Sequence, residues 1–168
     1  MARMSRGSAS ADDGLVPSLL DRLIDDEPGV STEPGWKRLQ GLGELKESVR
    51  RDLMNLLNTR RTWLQIPEGF EEGAQSILAY GVPEITNVLM QSLDEREGLR
   101  RSLEEAIARF EPRLIDVFVL LRDPDSEGDR TLHLIVNGRL RLDPNPEPVT
   151  FDAAIETTTG DCKVETVS

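Results

Sequence analysis

At Pro112 the chain changes its hydrophobic period. From Glu97 to Phe110 the apolar residues Leu99, Leu103, Ile107 and Phe110 recur at helical spacing. From Ile115 to Leu121 almost every residue is apolar and several are β-branched or aromatic, which reads as a strand. Proline has no N–H to give and biases the residue before it away from the α region, so the helix has to stop at Glu111. Two opposite charges, Glu111 and Arg113, therefore flank a rigid bend between two core elements. Such a pair either locks the joint or is presented to a partner. As a lock its net stabilisation is small, because desolvation offsets attraction.

On the N-terminal side of the bend the periodicity is helical. Leu15–Asp25 reads as a short amphipathic helix with Leu15, Leu19, Leu20, Leu23 and Ile24 on one face, and Pro17 in its first turn. Residues 26–43 carry Pro and Gly breaks and read as a connector anchored by Trp36. Glu44–Asn58 is the clearest helix, with Leu45, Val49, Leu53, Leu56 and Leu57 as its buried stripe and Lys46, Glu47, Arg50 and Arg51 in solvent. Arg60 and Arg61 follow its C-terminus, where cations meet exposed carbonyls favourably. Thr62–Phe70 reads as a loop with the apolar plugs Trp63 and Ile66. Glu71–Ala79 and Glu84–Gln91 read as short helices separated by Gly81-Val82-Pro83. Asp94 stands at a capping position for the next helix, with Glu97 in the capping-box place.

On the C-terminal side the pattern is β throughout. Ile115–Leu121, Thr131–Leu142, Val149–Glu156 and Cys162–Val167 read as strands, and Asn137-Gly138 inside the second is a hairpin or bulge signal. Helices first and strands later predict an α+β domain, with N-terminal helices packed on one face of a C-terminal antiparallel sheet. The expected organisation is a disordered tail at 1–14, poor in apolar anchors, and one domain over 15–168. Its helical part is 15–111 and its β part 112–168. Val149–Glu156 and Cys162–Val167 are the candidate edge strands.

Charge and composition exclude several classes. The formal net charge of −11 argues against sequence-independent nucleic-acid binding, which relies on Lys and Arg. Residues 123–168 hold ten acids against four bases, a surface that would steer towards a basic partner. No apolar run approaches the roughly 18–20 residues that span a bilayer, and Met1–Gly14 lacks the apolar core of a secretory signal. The single cysteine, Cys162, permits no internal disulfide, as suits a reducing cytoplasm.

Few residues carry the marks of chemistry. Glycoside hydrolysis needs two carboxylates across a cleft. The 31 acids here mark no particular pair, and aromatic platforms for sugars are scarce at 4% of the chain. Asp123–Gly128 opens like a calcium-binding EF-hand loop, but Leu134 would occupy the twelfth position, where a bidentate carboxylate is required. His133 alternates with Leu132 and Leu134 and points to the polar face, without a triad around it. Cys162 has no activating neighbour in sequence and reads as an inert strand residue. Gly41, Gly43 and Gly69 make no phosphate-binding pattern. No catalytic, cofactor or metal site is expected.

A family resemblance gathers the remaining motifs. Ala106–Leu114, containing Glu111-Pro112-Arg113, resembles the Glu-Pro-Arg signature of the contractile-tail baseplate wedge family, also called tail-lysozyme-like. Pro17–Leu23, Val49–Leu53 with Leu56–Arg61, and Ser76–Pro83 are similar, in order, to motifs of its TssE branch in type VI secretion. The resemblance runs from about Leu15 to Val167. It implies a structural wedge subunit rather than an enzyme, cytoplasmic and assembled into a membrane-docked baseplate. It also implies contacts with the baseplate proteins TssF and TssG, and docking of the sheath proteins TssB and TssC. Glu111, Pro112 and Arg113 would be the protein-binding residues. A regulatory anti-adaptor of the wider family, or a peptidoglycan-cleaving enzyme, are the alternative functions; Leu19–Leu23 and Arg60-Arg61 favour the secretion branch.

The tail reading is tested by limited proteolysis. Cleavage is expected first within residues 1–14, and early cuts inside Glu44–Asn58 would contradict the domain map.

Overall fold

The described residues of the computed structural model are 15, 17–24, 29, 41–62, 66–67, 69–84, 93–122 and 131–167. The tail at 1–14, Trp36, Trp63, the helix expected over Glu84–Gln91 beyond its first residue, and the turn 123–130 lie outside them. The chain divides into two compact units, residues 1–48 and 49–168.

In the first unit, α1 spans Leu19–Leu23. It starts after Ser18, whose hydroxyl accepts from the Asp21 N–H at 3.1 Å while Asp21 accepts from the Ser18 N–H at 3.2 Å. This reciprocal cap satisfies free donors of the first turn and leaves Pro17 just outside the helix. The helix is shorter than the expected Leu15–Asp25. Its leucines do not form a buried face: Leu19 and Leu23 are 77% and 81% exposed. The inward contact is polar, with the buried Ser48 hydroxyl donating to Asp21 at 2.7 Å.

The second unit carries the core. Helix α2, Leu42–Asn58, spans the division and in this unit buries Val49, Leu53, Leu56 and Leu57. The expected helix over Glu71–Ala79 is instead two pieces, α3 at Glu71–Ala74 and a 3₁₀ turn at Ile77–Ala79. Ser76 separates them. Its hydroxyl donates to the Gly73 carbonyl at 2.7 Å and accepts from the Leu78 N–H at 3.2 Å, bonds that compete with the helical ladder. Helix α4, Leu93–Phe110, buries Leu99, Leu103, Ala106 and Ile107. It begins at Leu93, so Asp94 lies inside its first turn rather than capping it. The Glu97 carboxylate is taken by Arg100 and Arg101, whose hydrogen bonds hold it down at about 2.

Four antiparallel strands follow, β1 Leu114–Leu121, β2 Thr131–Leu140, β3 Glu147–Glu156 and β4 Cys162–Val167, paired in chain order. The class is α+β, as expected. One face of the sheet is apolar and buried, with Leu132, Leu134, Val136 and Leu140 on β2, Val149, Phe151, Ala153 and Ile155 on β3, and Cys162 and Val164 on β4. Because β3 pairs on both sides, Val149–Glu156 is an interior strand and not an edge. The edges are β1 and β4.

Asn137-Gly138 marks a bulge and not a hairpin. Ile115 pairs with Arg139 and Phe118 with Asn137, so Asp116 and Val117 stand opposite Gly138 alone. Asp116 adopts a left-handed φ of 54°. A Cβ on Gly138 would lie 3.4 Å from the Ile115 carbonyl. The extra residue reverses which side chains of β1 face inward: Leu114 and Val119 are buried, while Phe118 and Leu120 are exposed.

Arg50, expected in solvent, is half-buried and donates to the Val164 carbonyl of β4 at 2.9 Å. Leu53→Ala is expected to cost about 2–5 kcal/mol as a core truncation. Arg50→Ala is expected to cost about 1 kcal/mol for the lost hydrogen bond. Urea unfolding of both variants checks this, and an Arg50→Ala cost within about 0.5 kcal/mol would return that side chain to solvent.

Candidate protein-binding site at the helix-to-strand joint

The end of α4 is drawn tight. The Glu111 N–H makes a last helical bond to Ile107 at 2.8 Å, and the Glu111 carbonyl accepts from Leu114 at 3.0 Å, closing a turn with Pro112 exposed at its tip. The Arg113 carbonyl accepts from the Arg141 N–H at 2.8 Å, so the turn is fixed to the residue after β2.

Inside this turn Glu111 is 3% exposed. Arg113 folds back over it with a two-pronged grip, Nε to Oε1 at 2.7 Å and Nη2 to Oε2 at 2.5 Å, and the Arg113 N–H adds a third bond at 3.2 Å. The same Nη2 reaches Asp52 of α2 at 2.5 Å. Asp52 in turn accepts from Arg51 Nε and Nη2 at 3.3 and 3.2 Å. Two carboxylates and two guanidinium groups thus form a charge-balanced chain running from the buried Glu111 to the half-buried Arg51. Burial works against the charge on Arg113, but the hydrogen bonds and negative charge of Glu111, then of Asp52, outweigh it and hold the guanidinium above its ordinary range.

Tyr80 completes the surround. Its ring meets Phe110 edge-on, with centroids 5.2 Å apart. Burial, and then the negative charges of Asp52 and Glu111, push its hydroxyl upward. Tyr80 is placed there by Gly81, whose φ of 107° and close approach to the Thr59 carbonyl exclude a side chain: a Cβ would lie 2.5 Å from that oxygen. Val82 then exchanges 2.8 Å backbone bonds with Thr59 and Arg61.

The structure therefore brings the Glu-Pro-Arg turn together with Asp52 and Tyr80 from two other motifs. Sequence reasoning quoted both segments but did not single out either residue. The signal available for Asp52 was spacing: it lies three residues after Val49 and four before Leu56, on the side of α2 that those residues bury. The carboxylates of Asp52 and Glu111 converge on one guanidinium and do not oppose each other across a cleft, so this joint lacks the layout of a glycosidase pair. Among the described residues no group of three His, Cys, Asp or Glu side chains is arranged to hold a metal ion. The segment 123–130, which resembles the start of a calcium loop, is outside them. Cys162 is buried on β4, and burial pushes its thiol up to about 12, the opposite of an activated nucleophile.

The protein family described as baseplate wedge protein gp25 matches residues 43–145, well over half of the chain. The chain belongs to this family. Its matched span runs from the start of α2 past the end of β2, and so contains Asp52, Tyr80, Glu111 and Arg113. Membership gives the chain a structural role in the baseplate of a contractile injection system, in contact with other baseplate components. A search of the curated proteins finds no match. No helix among the described residues is long and apolar enough to cross a membrane.

Arg113→Ala is expected to destabilise the protein by about 3 kcal/mol, because it leaves the buried Glu111 carboxylate uncompensated. Replacing both charges by apolar residues, Glu111→Leu with Arg113→Met, is expected to cost less than the single change. Chemical denaturation of the two variants measures the difference, and equal costs would show that the buried charge is not what the single variant exposes.

Proposed function

We propose that this chain is the wedge subunit of a type VI secretion baseplate, cytoplasmic and assembled into a membrane-docked complex, which binds TssF and TssG and helps to dock the first ring of the TssB–TssC sheath. Family membership across residues 43–145 carries this reading. In it, residues 15–168 act as one wedge domain. Pro112 and the exposed edge of Arg113 form the contact, while Glu111 lies beneath and orients the guanidinium. A guanidinium already gripped on one side can still offer its remaining donors to a partner carboxylate. The second contact is strand addition at the Thr166 end of β4, beyond the backbone groups of Cys162 and Val164 that α2 side chains occupy, where main-chain hydrogen bonds bind a sheath strand without a pocket.

The experiment is co-expression with TssF and TssG followed by size exclusion. Wild type is expected to co-elute with both, and Pro112→Ala combined with Arg113→Lys, which keeps the charge but not the two-pronged geometry, is expected to weaken co-elution while remaining folded by circular dichroism. A folded wild-type chain that never joins TssF and TssG would refute the reading. A folded Pro112→Ala, Arg113→Lys variant that binds as wild type would remove the turn from the interface.

A further inference from the structure

The motif Leu56–Arg61 has a physical task that the wedge reading does not use. Asn58, the last residue of α2, lies against the outer side of β4. Its Nδ2 donates to the Cys162 carbonyl at 2.9 Å and its Oδ1 accepts from the Cys162 N–H at 2.8 Å. An amide side chain therefore occupies both outward backbone groups of Cys162, as a residue of a neighbouring strand would. Two turns earlier on α2, Arg50 takes the outward Val164 carbonyl at 2.9 Å. Arg60, just after the helix, bonds the Thr159 carbonyl at 2.9 Å and lies so close over Gly160 that a Cβ there would meet its Nη2 at 2.6 Å. These three side chains run along the outer side of the β3–β4 turn and the first half of β4. The other edge is treated similarly by α4: Glu104, held by Arg100 at 2.5 Å, accepts from the Val119 N–H at 2.9 Å, and Arg96 reaches the Leu121 carbonyl at 3.4 Å.

We propose that Asn58 and Arg50 are edge plugs that stop β4 from pairing with β4 of a second copy of this chain. The sequence of β4 makes that pairing favourable. Strand alternation puts Cys162, Val164 and Thr166 outward in the hydrogen-bonding direction. An antiparallel two-fold pair centred on Val164 sets Cys162 opposite Thr166 of the second copy, so the outward groups of both strands meet in register. The same register sets Lys163 opposite Glu165, both exposed, as a cross-strand pair of opposite charge. Cys162 and Val164 of both copies would extend the apolar face into a continuous sheet. An open edge is a ready template for a second chain, and a two-fold contact closes on itself after one such pairing. Asn58 competes for it directly, because it holds Cys162 at both ends of the register. The inference stands whether or not the chain binds a sheath, since it concerns only the isolated protein.

Sedimentation equilibrium of the full chain tests it, in about 0.15 M salt, where exposed charges are screened beyond about 8 Å. Wild type is expected to sediment as one chain. Asn58→Ala is expected to form a concentration-dependent dimer, and Arg50→Met, which opens Val164 alone, a weaker one. Exchange of the Cys162 amide in Asn58→Ala, measured at dilution, is expected to quicken by roughly tenfold, the loss of about one hydrogen bond. Two second-site changes identify the edge. Thr166→Pro removes an outward N–H, and Lys163→Glu sets like charges opposite each other; each is expected to return Asn58→Ala to a single chain. The proposal is overturned if wild type already dimerises through β4. It is also overturned if both plug variants stay single while folded, or if the dimer survives Thr166→Pro and Lys163→Glu.

Discussion

One guanidinium holds the second unit of this protein together at its centre. Arg113 leaves the turn after α4, folds back on Glu111, and extends to Asp52 of α2. The two long helices and the first strand are thus tied at one point. Pro112 ends α4, but it cannot aim β1; the aim comes from the bonds of Glu111 and Arg113 inside the turn and from Arg113 to Arg141 across it. Such a cluster adds little net stability, because each charge gave up water to enter it. Its contribution is a single defined angle between helix and strand, since other angles would strand Glu111 without a partner.

The sheet that leaves this joint is a simple meander, and its irregularity is confined to β1. The bulge at Asp116 and Val117 reverses the strand's facing, so that Leu114 near the joint and Val119 beyond it both point into the core. Gly138 makes room for the bulge on β2. Without the extra residue Phe118 and Leu120 would turn inward and Val119 outward. The exposed Phe118 is partly covered by Arg100, whose guanidinium lies 5.7 Å from its ring centroid. Arg100 also holds Glu104 on the β1 edge, so one side chain of α4 serves both the bulged face and the strand's outer border.

Both long helices give polar side chains to the edges of the sheet as well as apolar ones to its face. This division of labour explains why α2 and α4 carry half-buried Arg and Glu residues at positions that a two-colour pattern assigns to solvent, and why the exposed Asn58 is turned onto β4. It also gives a physical meaning to the run from Leu56 to Arg61: two leucines for the core, then Asn58 for β4 and Arg60 for the turn before it.

What the sequence determined by itself was the succession of elements. Helical period before Pro112, β pattern after it, and the α+β class follow from local spacing and from proline's missing donor, and these depend on neighbours a few residues away. The Glu-Pro-Arg turn was visible for the same reason. Only tertiary structure decided the rest, because it rests on residues far apart in the chain. Asp52 and Tyr80 join Glu111 and Arg113 across 59 and 31 residues of sequence measured to Glu111, and nothing local to either marks the meeting. The facing of β1 depends on a bulge against Gly138, since a run apolar on both sides gives no preferred register. Ser76 split a helix that periodicity joined. The position of β3 inside the sheet, and the closing of the β4 edge by Asn58, follow from pairing and packing partners that a one-dimensional pattern does not contain.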